Sequence, residues 1–278
     1  MSAPRYSIIT ICKGRLHHLV RSLPALVRQP QSSVIVVDYN CPDGTGDYVA
    51  ANFPGVTVVR ERTDPGFNAS RARNLGAAEA RCEQLVFVDA DVIVADNFVQ
   101  SADQRLRPGT FAKFPDPQTV RENSLQGTCI VPRADFERCG RYDELIRDYG
   151  GEDLEFYARL IEAGLVPTFL DDNTVAELIE HTPAERERFM DKDATTGFLV
   201  GKVYRLAKIS YIRMNRSLDV EPPLAKKIYD EVVRLVGNMA KSGKQEMTLR
   251  LHFPDDQTRG LHQHWSFKRS IVLRVERR

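Results

Sequence analysis

The sequence predicts an α/β protein: a mainly parallel sheet flanked by helices, then an extension of two helices and a β-hairpin. Two observations carry this reading. Over the first ninety residues, short runs that are apolar throughout alternate with segments of helical periodicity. Strands apolar on both faces need cover on both faces, which a parallel sheet with crossover helices supplies. Second, the character changes beyond about Pro183. Residues 185–278 hold 20 Lys/Arg against 12 Asp/Glu, and the remainder holds 19 against 26. An acidic body with a basic tail indicates two units with different partners: residues 1–184, in halves 1–96 and 97–184, and residues 185–278.

The elements follow in order. "YSIITIC" (6–12) is a strand, and "GRLHHLVRSLPALVRQ" a helix that Pro24 would kink or shorten. "SVIVVD" is a second strand, "CPDGTG" a turn, and "DYVAANF" a short helix ended by Pro54-Gly55. "VTVVRE" is a third strand, and "NASRARNLGAAEAR" a helix with Asn68 or Ser70 as its N-cap. "QLVFVD" is the fourth strand, and "FVQSADQRL" a helix. The proline-bearing stretch 108–126 reads as irregular loop. "GTCIVPRADFERCGRYDE" is a strand, a turn and a short helix. "GGEDLEFYARLIEAG" is a helix whose apolar face is Leu154, Tyr157, Ala158 and Ile161, and "VPTFLDD" is a strand with "AELIEH" near it. In the tail, "GFLVGKVYRLAKISYIRM" and "PLAKKIYDEVVRLVGNMAK" are amphipathic helices. "EMTLRLHF" and "SFKRSIVLRVER" alternate as strands do and pair as a hairpin.

Composition sets limits. The chain is 42% hydrophobic and 28% charged, without the roughly 18-residue apolar run of a membrane span. No secretory signal opens it, and its five cysteines form no CxxC pair. Reduced thiols in a cytoplasmic protein are the expectation.

The chemistry concentrates where the strands end, the ligand edge of an open α/β sheet. "VFVDADVIV" sets Asp89 and Asp91 one residue apart after an apolar strand. Two such carboxylates repel and resist burial, unless a divalent cation with oxygen ligands, Mn²⁺ or Mg²⁺, joins them. Read without a metal, they are two solvated acids in a turn. Asp38 ends the second strand and can accept hydrogen bonds from a base and a ribose, or cap the following turn. Arg71 and Arg73 suit phosphate or base-edge recognition, or form a solvated helix face. Glu152 and Asp153 follow Gly150-Gly151, where acids serve either as capping residues or as a general base. His181 is a third metal ligand or a loop histidine.

Taken together, these stretches resemble the nucleotide-sugar glycosyltransferases of the GT-A fold, closest to family 2, with a second part like the C-terminal half of the β-1,4-galactosyltransferase type. "SIITICKGRLHHLVRSLPAL", "VIVVDYNCPDGTGDYV", "NASRARNLGAAEARCEQLVFVDADVIV" and "GTCIVPRADFERCGRYDELIRDYGGEDLEFYARLIEAG" carry the match, over about residues 6–182. The resemblance implies that Thr10 and Lys13 line the nucleotide pocket. It implies that Asp38 is the first of a usual acid pair, with Tyr39 in the second place, and that Arg73 contacts the nucleotide. Asp91 would bind metal, Asp89 the ribose or the metal's waters, and His181 the metal. Asp153 would be the general base, Glu152 would bind acceptor or sugar, and Gly127 and Thr128 would let the sugar approach. The implied reaction moves a sugar, from a UDP-sugar, to a glycan, lipid-linked or small-molecule acceptor, with inversion and Mn²⁺ or Mg²⁺. It belongs to polysaccharide or glycoconjugate biosynthesis, with no nucleic-acid partner.

Two rivals compete. A nucleotidyltransferase would carry a Gly-rich basic loop after the first strand, and "CKGRLHH" holds a single glycine. A non-catalytic sugar-nucleotide module would have no use for both the DxD and the ED acids. In the tail, Lys202, Arg205, Lys208 and Arg213 lie among apolar residues. They suit a peripheral membrane helix, or a cap that packs on the catalytic domain or a second subunit of a homodimer. His252, His262, His264 and Trp265 read as surface residues, with Trp265 able to stack on a sugar.

Overall fold

A computed structural model describes residues 3–118, 125–147, 150–182, 184–185, 188–190, 193–242, 246–254 and 268–276. Its contacts divide the chain into two units, Met1–Ala194 and Thr195–Arg278. The predicted boundary after residue 184 falls in the segment just upstream of that division.

The first unit is built on a seven-stranded sheet of order β3-β2-β1-β4-β7-β6-β8. Its strands are β1 (Tyr6–Cys12), β2 (Ser32–Tyr39), β3 (Thr57–Glu61), β4 (Gln84–Phe87), β6 (Thr110–Lys113), β7 (Cys129–Pro132) and β8 (Val166–Phe169). The left half is parallel: β1 pairs with β2 from Tyr6↔Ser32 to Cys12↔Asp38, β2 with β3, and β1 with β4. β7 runs against both of its neighbours, and β8 is again parallel to β6. The sheet is thus mainly parallel, with one reversed strand in its interior. β6 lies in the stretch expected to be loop. Phe111 and Ala112 are fully buried there, and the "TFAK" run is too short for periodicity to mark.

Helices α1 (Leu16–Val27), α2 (Thr45–Asn52) and α3 (Ala69–Glu79) connect the parallel strands. Pro24 sits inside α1 without ending it. Asn68 is the cap of α3, its side chain accepting from the Arg71 N–H at 3.0 Å. α4 (Phe98–Asp103) and α5 (Arg133–Arg138) are single short helices. β5 (Val92–Val94) and β9 (Val175–Leu178) form a separate antiparallel pair, so "AELI" joins the run that follows the DxD rather than the main sheet.

Helix α6 (Glu152–Glu162) turns a different face inward from the one expected. Phe156, Tyr157 and Leu160 are buried, while Ile161 is 48% exposed. A buried ion pair, Arg159 with Glu155 at 2.6 Å, takes the remaining inward positions. Arg159 also donates to the Arg141 carbonyl at 2.6 Å, so its charge is well partnered. Aromatic packing continues this core, with Phe156 against Tyr142 at 4.6 Å.

In the second unit, α7 (Ala194–Asn215) and α8 (Pro222–Ser242) precede the antiparallel hairpin β10 (Glu246–Pro254) and β11 (Lys268–Glu276). The basic row of α7 is not one solvated face, since Lys208 is buried beside Tyr204 while Lys202 and Arg213 are exposed. His252 pairs across the hairpin with Ser270 at 2.8 Å. His262, His264 and Trp265 lie outside the described residues. Among the described residues no helix is long and apolar enough to cross a membrane.

Candidate active site

The DxD begins where β4 ends. The Val88 N–H donates to Ile9, and the Ser22 hydroxyl donates to the Ala90 carbonyl at 2.7 Å, anchoring the turn between two neighbouring elements. The Asp91 carbonyl accepts from Ile179 at 2.8 Å, which brings the chain just before His181 alongside. The two acids therefore meet different partners.

Asp91 Oδ2 lies 3.0 Å from His181 Nε2 and 3.5 Å from Arg15 Nη1. Burial pushes the Asp91 carboxyl up, but the His181 hydrogen bond and the Arg15 and His181 charges outweigh it, so the net shift is down. A carboxylate held ionised beside an imidazole nitrogen is the donor chemistry a divalent cation such as Mn²⁺ or Mg²⁺ uses, so Asp91 and His181 suit one, whereas Asp89 is engaged by Arg73.

Asp89 turns to Arg73, whose Nη2 donates to its Oδ1 at 2.9 Å. The same guanidinium reaches both acids at the start of α6: Nη1 donates to Glu152 Oε1 at 3.0 Å and lies 3.1 Å from Asp153 Oδ1. Arg73 is 4% exposed and stands over the Tyr142 ring. Three carboxylates thus share one buried cation. Burial raises the Asp153 carboxyl well above its ordinary range, Arg73 opposes this, and Glu152 and Asp89 add to it. Asp89 is raised for the same leading reason.

Close approach here is possible because residue 127 has no side chain. A Cβ at Gly127 would overlap the Asp89 carboxylate and crowd Arg73. Tyr157 holds this turn, donating to the Gln126 carbonyl at 2.6 Å. Gly150 and Gly151 enter α6 with φ of 85° and 101°, a left-handed region that side chains rarely adopt. Those two residues aim the Glu152-Asp153 pair at Arg73. Thr10 Oγ1, Thr128 Oγ1 and Glu152 Oε2 are buried polar atoms without a hydrogen-bond partner among the described residues. Such atoms ask for a polar ligand or water.

The rest of the predicted set is arranged along the strand ends. Asp38 is 1% exposed and spends both oxygens locally: the Cys41 N–H donates to Oδ1 at 2.9 Å, and the Gly46 N–H to Oδ2 at 3.1 Å. Arg62 is 3.3 Å from the same Oδ2. Lys13 donates to the Pro65 carbonyl at 3.0 Å, and burial lowers its pKa. Arg71 turns away from Arg73 and pairs with Glu61 at 2.9 Å. The Thr63 hydroxyl and N–H, with Arg71, hold Glu61 at about 2.

Sequence reasoning missed three of these residues. Arg15 stands beside Asp91, and its signal was a cation directly after the first strand. Asp64 accepts from the buried Tyr39 hydroxyl at 2.7 Å and pairs with Arg147 at 2.9 Å. The "TDPG" turn was a signal for Asp64, whereas nothing in the sequence marks Arg147.

Comparison with known proteins points to glycosyltransferases. Residues 7–108 match the family model described as glycosyl transferase family 2. Residues 109–182 match the one described as the N-terminal domain of galactosyltransferase. Among solved structures, the mannosyltransferase PcManGT from Pyrobaculum calidifontis, in complex with GDP-Man and Mn²⁺, aligns with a TM-score of 0.55 at 18% identity. That alignment covers 88% of this chain and 77% of the other. TarS 1-349 from S. aureus aligns with a TM-score of 0.54 at 15% identity, covering 88% and 94%. The same protein in complex with UDP-GlcNAc gives 0.52 at 15% identity, again covering 88% and 94%. No curated protein matches the chain significantly by sequence. The chain has the GT-A fold, with residues 7–108 similar to glycosyl transferase family 2 and residues 109–182 similar to the galactosyltransferase type.

Proposed function

We propose that this protein is a glycosyltransferase that moves a sugar from a nucleotide-sugar donor, a UDP-sugar on the family resemblance, to an acceptor hydroxyl in a single inverting displacement. The observation that carries the proposal is Arg73. One buried guanidinium ties Asp89, on the donor side, to Glu152 and Asp153, on the acceptor side.

The residues then take these roles. Thr10 and Lys13 line the nucleotide edge, and Asp38 shapes it by fixing the turn over residues 41–46. Gly127 and Thr128 leave room for the sugar ring, and Glu152 Oε2 is free to accept from a sugar or acceptor hydroxyl. Asp153 takes the acceptor proton. The acceptor oxygen forms its bond to the anomeric carbon as the bond to the diphosphate oxygen breaks, and the diphosphate leaves with the electron pair. A carboxyl pushed up by burial is a stronger base than a solvated one, which suits it to the task. Asp91, Asp89 and His181 would hold Mn²⁺ or Mg²⁺, which supplies charge stabilisation to the leaving diphosphate.

The test is Asp153→Asn. Transfer is abolished while nucleotide binding, read by calorimetry, stays near the wild-type value. A correctly folded variant that no longer binds nucleotide refutes the base assignment. A thermal-shift panel of nucleotide sugars, with and without Mn²⁺, identifies the donor. The burial of Lys208 beside Tyr204 argues against a membrane-surface role for that face of α7. Failure to sediment with anionic vesicles at low salt is the expected result.

A further inference from the structure

A second constellation lies beside the DxD, and the glycosyl-transfer chemistry above does not use it. Helix α1 opens with His17 and His18, whose rings meet edge-on with centroids 4.2 Å apart. Glu185 joins them from the other side. One ligand atom from each of the three residues lies within 4.8 Å of the other two.

We propose that His17, His18 and Glu185 form a site for an imidazole-preferring divalent cation of the zinc class. Three features support it. First, Glu185 is held ready. The Thr182 N–H donates to its Oε2 at 2.8 Å, and its own N–H donates to Thr182 Oγ1 at 3.2 Å, a capping box across one turn. That arrangement uses Oε2 and leaves Oε1 facing His17. Second, His17 Nε2 and Glu185 Oε1 are 3.5 Å apart, long for a hydrogen bond. Zinc bonds of about 2.0–2.1 Å in a tetrahedron give ligand-to-ligand edges of about 3.4 Å, close to this spacing. Third, His18 is only 2% exposed, and its Nδ1 is a buried atom with no hydrogen-bond partner among the described residues. A buried imidazole nitrogen without a partner asks for an explanation, and a ligand role gives one.

The donor set separates this site from the acids of the DxD. Two imidazoles and one carboxylate favour zinc over magnesium, whereas two carboxylates and one imidazole suit a harder ion. Three protein ligands leave a fourth position open. His17 and Glu185 also line a cavity of about 520 Å³, together with Asp43 and Arg188. The consequence for the transferase is positional. His18 stacks on His181, with centroids 6.1 Å apart and planes 20° apart. A cation clamping α1 to Glu185 would hold His181 against Asp91. The binding claim stands by itself, and only this consequence rests on the proposed metal role of His181.

The test is zinc uptake by the full chain after chelation, read by competition with a chromophoric chelator and by the visible spectrum of the Co²⁺ form. His17 and Glu185 are accessible, with side chains 59% and 38% exposed, so His17→Ala and Glu185→Gln should leave the apo melting temperature unchanged. Wild type is expected to bind one equivalent tightly and to give the intense absorption of tetrahedral Co²⁺. Each variant should bind more than about tenfold more weakly. Asp91→Asn should retain the equivalent. Unchanged uptake in both variants overturns the proposal and leaves an ion pair beside a core histidine. Uptake lost only in Asp91→Asn also overturns it, by assigning the ion to the acids of the DxD.

Discussion

Replacing Arg73 with Met tests the centre of the site, because it removes the charged guanidinium and keeps an unbranched apolar stem. Arg73 is 4% exposed and lies 2.9 Å from Asp89, 3.0 Å from Glu152 and 3.1 Å from Asp153. Removing one member of a buried ionic cluster typically costs about 3–5 kcal/mol, since the partners stay buried and unpaired. For a unit of this size, roughly 2–4 °C per kcal/mol gives a melting temperature lower by roughly 6–20 °C. The loss should depend on pH in a definite direction. The Asp153 and Asp89 carboxyls are already raised by burial, with Arg73 pulling them down, so its removal raises them further. A group whose folded pKa exceeds its unfolded value binds more protons folded than unfolded. Stability then falls as pH rises from the unfolded carboxylate pKa through the folded one, by up to about 1.4 kcal/mol per pH unit for each such proton. Urea unfolding at pH 5 and pH 8 reads the effect. The variant should lose more stability at pH 8, and Asp153→Asn added to Arg73→Met should recover part of it. A variant within 1 kcal/mol of wild type by urea unfolding, or one with the wild-type pH slope, would refute the shared-cation account.

Other substitutions probe neighbouring links. Asp91→Ala should remove metal-dependent nucleotide binding in calorimetry, and metal-independent transfer by that variant would end the ligand assignment. Gly127→Ala should cost about 1–3 kcal/mol and most of the activity, because the new methyl meets the Asp89 carboxylate. Its melting curve and transfer rate test this, and wild-type values in both would show that the turn relaxes freely. Asn68→Ala should lose about 1–2 kcal/mol in urea unfolding. It removes the cap on Arg71 N–H and a 2.9 Å bond to the Glu144 carbonyl.

The parallel half of the sheet was readable because its strands β1, β2 and β4 are largely apolar runs, α1 has a helical period, and Asn68 caps α3. β6 was not readable, since a four-residue run between prolines carries no period. The inward face of α6 was misread for a related reason. A buried Glu155–Arg159 pair looks in sequence like two solvated charges, and only its partners on the 139–141 turn make it core. Among the site residues, Asp89, Asp91, Glu152 and Asp153 stood out by spacing and by the strands and glycines beside them. Arg15, Asp64 and Arg147 depend on contacts that no local pattern encodes.

The sequence by itself determined which carboxylates end the strands and which glycines precede the second acid pair, because strand ends and left-handed turns are local properties. The tertiary structure decided how those groups are shared. Arg71 and Arg73 are equivalent in composition, yet two residues on a helix point about 200° apart. Packing of α3 on β1 and β2 sends Arg73 inward to three acids and leaves Arg71 outside with Glu61. The sheet likewise splits the DxD, sending Asp89 to Arg73 and Asp91 to a histidine ninety positions away in the chain. Long-range packing sets those pairings, because the distances that decide electrostatics run through space and not along the chain.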